Sequence, residues 1–284
     1  MKKNPLLALL LAIPFLTGCN SVFQETYKDA DKYLVGSQTY NTVAITKIDA
    51  DWKFGTLTLI EDVSATSTIV VEENDLPDSE KVHSYLDGDT LKIKFFASGH
   101  HGSNIKKEKK VLTLTYNPIA LLELDVKITS GIFKAGALNP TNKFNFEMTS
   151  GNVELGRVCS TNVKAEQTSG TLKVNEMICD KANLYLTSGK LTIGKFDVDE
   201  VKAEMTSGTM DLGFHTLKTG EMEATSGTII ARLPEDGGKV RVKKTSGTVN
   251  VYDREYHIID GVYTIGNGAA ELSIELTSGR VEIR

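Results

Sequence analysis

The chain has 284 residues, 40 % of them hydrophobic and 24 % charged, which is the composition of an ordinary folded protein and excludes a disordered or collagen-like chain. The net charge is −5, from 32 basic and 37 acidic residues, and it falls to −7 if residues 1–18, with Lys2 and Lys3, are removed. An acidic balance of this kind argues against nucleic-acid binding, which needs Lys and Arg in excess on one face.

At the N-terminus, Lys2 and Lys3 precede an apolar run from Leu6 to Leu16, broken only by Pro14. The run is too short to span a bilayer and has the form of a secretory signal over residues 1–18. Leu16-Thr17-Gly18-Cys19 resembles the lipobox of bacterial lipoproteins. The resemblance implies cleavage before Cys19, lipid attachment (palmitate and related chains) to its sulfur, and an extracytoplasmic position at the cell membrane or outer membrane. Two or more acyl chains on one residue anchor stably. Residues 19–38 are polar and mixed and read as a tether, with a short helix packed on the first coil as the rival.

From residue 39 the chain reads as a single β-solenoid domain. Over 39–128, alternating stretches such as Lys53–Ile60, Ser67–Glu72 and Val111–Tyr116 predict strands, and Asp87-Gly88-Asp89 predicts a hairpin turn. These are expected to be irregular opening coils that shield the first sheet edge. Within them, Ser98–Asn104 with His100 and His101, followed by Lys106, Lys107, Lys109 and Lys110, has the residue types of a metal or anion site, but its Gly and Ser content fits a solvated loop better.

Over 129–252 the triplet Thr-Ser-Gly recurs at Thr129, Thr149, Thr168, Thr187, Thr206, Thr225 and Thr245, and again at Thr277, mostly 19 or 20 residues apart. A fixed short period of this kind predicts stacked coils of about 19 residues. One, three and five places before each Thr the residues are mainly apolar, as in Ala182, Leu184 and Leu186; four and six places after it they are apolar again, as in Leu191 and Ile193. Period two on both sides means two strands, each with one buried face, meeting at the triplet. Gln167, Gly220 and Lys244 break the inward columns. Gly131, Gly151, Gly170, Gly189, Gly208, Gly227, Gly247 and Gly279 are therefore expected to be structural corners, with Ser lining the inside and Thr the outside. Residues 253–284 add a 13-residue insertion, in which Tyr256–Ile259, Asp260-Gly261 and Val262–Ile265 predict a hairpin, and then a C-terminal coil. The hairpin is expected to cap the edge formed by Arg280–Arg284, and its Tyr256 and Tyr263 are candidates for a partner contact.

These repeats, with the ending Gly266–Ile283, resemble the bacterial "putative adhesin" domain family, known for β-strand repeats carrying a Ser-Gly motif about once per coil. The resemblance implies a right-handed parallel β-helix and says little about chemistry, since most members have no assigned activity.

Chemistry is sparse in the sequence. The triplet serines have no His beside them, His215 and His257 are isolated, and a repeated Ser argues against one reactive Ser. No catalytic residue, metal ligand set or cofactor is expected. Cys159 and Cys179 lie twenty residues apart, about one coil, so a disulfide is open but their registers differ by one. Two places before each Thr stand Lys127, Glu147, Glu166, Tyr185, Glu204, Glu223, Lys243 and Glu275; Lys164 and Lys202 can compensate the stacked carboxylates, and calcium is the sharper alternative. Three roles follow: display of a surface for adhesion or scaffolding, to an envelope polymer or a membrane protein; envelope sensing through a membrane partner; and, least favoured, glycan cleavage on a β-helix. The oligomeric state is open.

Overall fold

The computed structural model describes residues 25–41, 45–64, 68–100, 106–252 and 254–284. Every element in them is a β-strand except four single 3-10 turns, so the chain is all-β.

One coil shows why the sequence winds as it does. In β12 (Thr171–Leu186), β13 (Lys190–Met205) and β14 (Thr209–Ala224) the strand continues around corners, and each coil has three straight runs. The run before the triplet buries Ala182, Leu184 and Leu186; the run after it buries Leu191 and Ile193; a third buries Phe196 and Val198. We call these the first, second and third faces. Neighbouring coils pair in parallel, with Leu172 beside Leu191 and Leu184 beside Ala203, so like residues stack. Phe196 stacks on Phe214 of the next coil with centroids 5.6 Å apart. Each fully buried Leu, Ile or Phe contributes roughly 1.5–3 kcal/mol, and here the contribution repeats coil after coil.

The triplet glycines stand in one column. A Cβ on Gly189 would lie 2.3 Å from the Gly170 carbonyl oxygen, and the same clash runs from Gly131 through Gly227. Their φ values lie between 101° and 140°, a region that side chains rarely adopt. Gly55, outside any triplet, heads the column: Gly131 packs on its carbonyl, and Gly55 packs on that of Lys110. The serines do not line the interior. They are partly exposed, and Ser169 and Ser188 donate to the carbonyls of Thr149 and Thr168 on the preceding coil. Tight glycine stacking leaves no room inside the corner, so the hydroxyl turns along the ladder.

Space order departs from chain order at both ends. At one end, β3 (Lys47–Trp52) and β4 (Thr56–Glu61) lie between β9 (Glu123–Leu138) and the pair β7 (Thr90–Lys94) and β8 (Val111–Tyr116). Beyond these, β6 (His83–Asp87) pairs antiparallel with β7 about the Gly88-Asp89 turn, and β5 (Thr68–Glu73) pairs antiparallel with β8. The outermost strands there are β1 (Leu34–Val35) on β6 and β2 (Gln38–Asn41) on β5.

At the other end the last strands, β20 (Ala270–Leu276) and β21 (Arg280–Ile283), lie inside. β20 sits between β14 and β16 (Gly237–Lys244), and β21 between β15 (Thr228–Arg232) and β17 (Thr248–Val251). The expected hairpin is present as β18 (Tyr256–Ile259) and β19 (Val262–Gly266), with Asp260 and Gly261 at positive φ, but β19 pairs antiparallel with β16 and not with Arg280–Ile283. Arg280–Ile283 is not an edge, because it is paired on both sides.

Residues 25–38 do not form a free tether. Glu25 and Tyr33 are buried and Tyr27 donates its hydroxyl to the Phe96 carbonyl at 3.1 Å, which holds the segment on the first coils, while its one 3-10 turn, Ala30–Lys32, is exposed. Aromatic surface decides this: Tyr27, Tyr33 and Tyr85 form a chain of rings 4.8 and 5.5 Å apart.

Candidate functional site

The first face is the longest uninterrupted surface, and its outward columns are set by the parallel register. Two places before each Thr, Glu147 stands beside Glu166, and farther along Glu204 beside Glu223 beside Glu275. Tyr185 separates the two acidic groups. Lys127 reaches Glu147 at 2.7 Å, Lys164 reaches Glu166 at 2.5 Å, Lys202 reaches Glu204 at 2.8 Å and Lys243 reaches Glu275 at 3.0 Å. The carboxylates are thus compensated by lysines on the same face, which offsets the like-charge repulsion of stacked rungs. All these ion pairs are solvent-exposed and each contributes little to stability. Among the described residues, no three His, Cys, Asp or Glu side chains are arranged to hold a metal.

Four shallow depressions lie on this face. One is bordered by Lys202, Glu221, Arg241 and Ser273, a second by Tyr185, Glu204, Glu223 and Lys243, a third by Lys127, Glu147, Glu166 and Tyr185, and a fourth by Asn145, Asn162, Lys164 and Asn183. Together they make a ladder of hydroxyl, amide and paired charged groups, with one half-buried aromatic ring midway.

The remaining candidates separate. Cys19 lies outside the described residues, as do His101 and the rest of 101–105. His100, which is described, stacks edge-on against Phe96 at 5.4 Å and is packed where a ligand would have to reach it. Cys159 and Cys179 are both free thiols. Cys159 lies beside Ile178 in an outward column, while Cys179 lies beside Val198 in the next, inward column, so their side chains diverge. Burial pushes the Cys179 thiol up to about 12, which makes it inert. His215 donates through Nδ1–H to the Asp197 carboxylate at 2.6 Å, but among the described residues no Ser or Cys completes a nucleophile–base pair with it.

Sequence reasoning missed a second column seven places after the first five triplet Thr residues. Gly136, Gly156, Asn175, Gly194 and Gly213 mark the next corner, where a Cβ on Gly156 would meet the Gly136 oxygen at 2.3 Å. The signal was present as glycine at a fixed offset. It also missed a buried pair at the N-terminal end, where the Lys110 ammonium lies 2.6 Å from Glu73, both side chains being almost fully buried. Burial pulls Lys110 down to about 8 and raises Glu73, and the ammonium sits over the Phe95 ring at 4.5 Å.

Fold and face together define a repeat protein of the β-solenoid type, in which a long regular sheet takes the place of a cleft. The chain belongs to the Toastrack DUF4097 family, whose model matches residues 45–284. Among solved structures it is similar to a "putative adhesin" of Bacteroides fragilis (14 % identity, 88 % of this chain and 97 % of that one, TM-score 0.54). It is also similar to a "putative adhesin" of Parabacteroides distasonis (15 % identity, 88 % and 97 %, TM-score 0.53). A third, from the same species, is a "putative lipid binding protein" (17 % identity, 87 % and 96 %, TM-score 0.53). At these identities the likeness is one of fold. No curated protein matches the chain.

Proposed function

We propose a non-catalytic protein of the cell envelope, anchored through lipid on Cys19 after removal of residues 1–18. Its right-handed parallel β-helix, of about 19 residues per coil, presents the first face for adhesion or scaffolding. The contact it fits best is a hydroxyl-rich envelope polymer. The observation that carries this reading is the rung-by-rung repetition of that face: a surface that offers the same groups at a fixed spacing suits a ligand that is itself repetitive. Pairing of most of its carboxylates with lysines leaves little net field, which favours a neutral glycan over a polyanion. The fold-level likeness to proteins called adhesins supports the role by analogy.

The test is co-sedimentation of residues 20–284 with isolated envelope glycan. Binding should fall about tenfold in a Tyr185→Ala, Lys202→Ala variant, the loss of about 1.4 kcal/mol expected for one aromatic and one polar contact. It should be unchanged by Lys195→Ala on the third face. No binding, or equal loss from both variants, contradicts the reading. Labelled palmitate that still enters a Cys19→Ser variant would remove the anchor from it.

A further inference from the structure

The C-terminal end of the stack is stepped. Beyond the coil of β20 and β21, the first face carries three more strands, β16, β19 and β18, and the second face only one, β17. The first face therefore projects two strands farther, about 10 Å at the usual strand spacing. The floor of the resulting notch is β17, which among the described residues pairs only with β21. The amides of Thr248 and Tyr252 go to the Gly279 and Ile283 carbonyls, and parallel alternation turns those of Val249 and Val251 to the open side. The wall is the hairpin β18–β19. Tyr256 and Ile258 stand opposite Ile265 and Tyr263, on the hairpin side that faces the core. Ile265 is buried, yet Tyr256 and Ile258 remain 43 % and 55 % exposed, since none of the described residues lies across the notch from them.

We propose that the notch takes the same hairpin from a second copy of this chain, in a two-fold dimer joined through the C-terminal ends. A two-fold axis through the triplet corner exchanges first and second faces, so each copy's two projecting strands drop into the other's two-strand gap. β18 runs in the same sense as β16, toward the corner, and β17 runs away from it; after the exchange the two meet antiparallel, four residues against four. Period two fixes the register. With the second copy's Ile258 opposite Val249 and its Tyr256 opposite Val251, all four apolar side chains face inward, and a one-residue slip would turn them out. The same register carries the second copy's exposed Asp260 to Gly247, whose carbonyl accepts from the Lys244 ammonium at 2.7 Å, so opposite charges meet at the corner. Pairing of this kind closes the open edge of β17. Residue 25 packs at the far end of the stack, so the two N-terminal segments leave the dimer on opposite sides. If the anchored-adhesin reading holds, on which this last step rests, the dimer bridges two apposed surfaces.

Sedimentation of residues 20–284 at about 100 μM, well above a micromolar dissociation constant, tests the pairing. The unmodified protein and Leu34→Lys, on exposed β1 at the other end, should sediment as dimers. Ile258→Lys should be a monomer whose melting temperature equals that of the unmodified protein at dilutions where both are monomeric. In oxidising buffer, the double variant Asn250→Cys, His257→Cys should form a covalent dimer that neither single variant gives. A monomeric unmodified protein, a dimer that survives Ile258→Lys, or a dimer that the paired cysteines fail to lock overturns the proposal. Glycan binding is measured on the same Ile258→Lys monomer, so loss of the dimer and loss of the adhesion reading are separate results.

Discussion

The two ends of the stack solve the same problem in opposite ways. At the N-terminal end the column of glycines stops at Lys110, whose side chain turns into the open end, pairs with Glu73, donates to the Glu80 carbonyl and lies among Trp52 and Phe95, both fully buried. Three strands cover each face there, level with one another. At the C-terminal end the column stops at Gly247, and Lys244, which stands in the inward column of Ala224 and Leu276, is exposed, with Val242, Val249, Val251 and Tyr263 only half covered. A closed end uses a buried charge and antiparallel strands against further pairing; a stepped, apolar end with a bare strand invites it.

The largest effect should come from the body that both ends terminate. Gly189→Val forces a Cβ against the Gly170 carbonyl at an unfavourable φ and should cost about 4 kcal/mol or more, while Thr187→Val on the outside of the same triplet stays within about 0.5 kcal/mol, by denaturant unfolding. Equal effects would mean that the corner is not tight. At the closed end, Lys110→Met strands the Glu73 carboxylate and should cost about 3–5 kcal/mol, part of it restored by adding Glu73→Gln, which removes the charge and still accepts from the Val82 amide. At the stepped end, Ile258→Lys should change the stability of the monomer by less than about 0.5 kcal/mol. Comparable losses at the two ends would erase the distinction between them.

The smallest effect is one of pH, again at the closed end. Burial, and then the nearby Asp51, raise Glu25 from 4.5 to about 7, against the opposing pull of Lys53 and Lys94. The packed state thus binds this proton more tightly than the free segment. Its contribution is full below about 4.5 and is lost as pH rises through about 7. The Gly99 amide, which donates to the Glu25 carbonyl at 2.7 Å, should exchange faster across that window than the chemical rate alone predicts, and Glu25→Gln should flatten the difference.

What could be read beforehand follows from which forces are local. The repeat exposed the first corner and both of its strands because glycine sterics and alternation act within one coil. The order of coils in space was not legible, because neighbouring rungs are nearly equivalent: Leu272 and Ile274 of β20, which pair with β14, stand in the same inward columns as Val240 and Val242 of β16. Gly55 joins the column without Thr-Ser before it, so only the coordinates reveal its membership. Lys110 and Glu73 are 37 residues apart, and nothing in a run of four lysines marks the one that is buried. On the first face, Lys164 and Lys202 could be matched to their carboxylates because partner and column share one short stretch, whereas Lys243 finds Glu275 only because the final coil folds back.

That folding back is the claim on which the stepped end depends, and disulfide trapping measures it directly. Thr228 stands beside Arg280, and Arg280 beside Thr248, so Thr228 and Thr248 are two rungs apart. Under mild oxidation, Thr228→Cys with Arg280→Cys should close an intramolecular bridge, and Thr228→Cys with Thr248→Cys should not. The reverse outcome would mean that the coils stack in chain order, with no stepped end and no open β17.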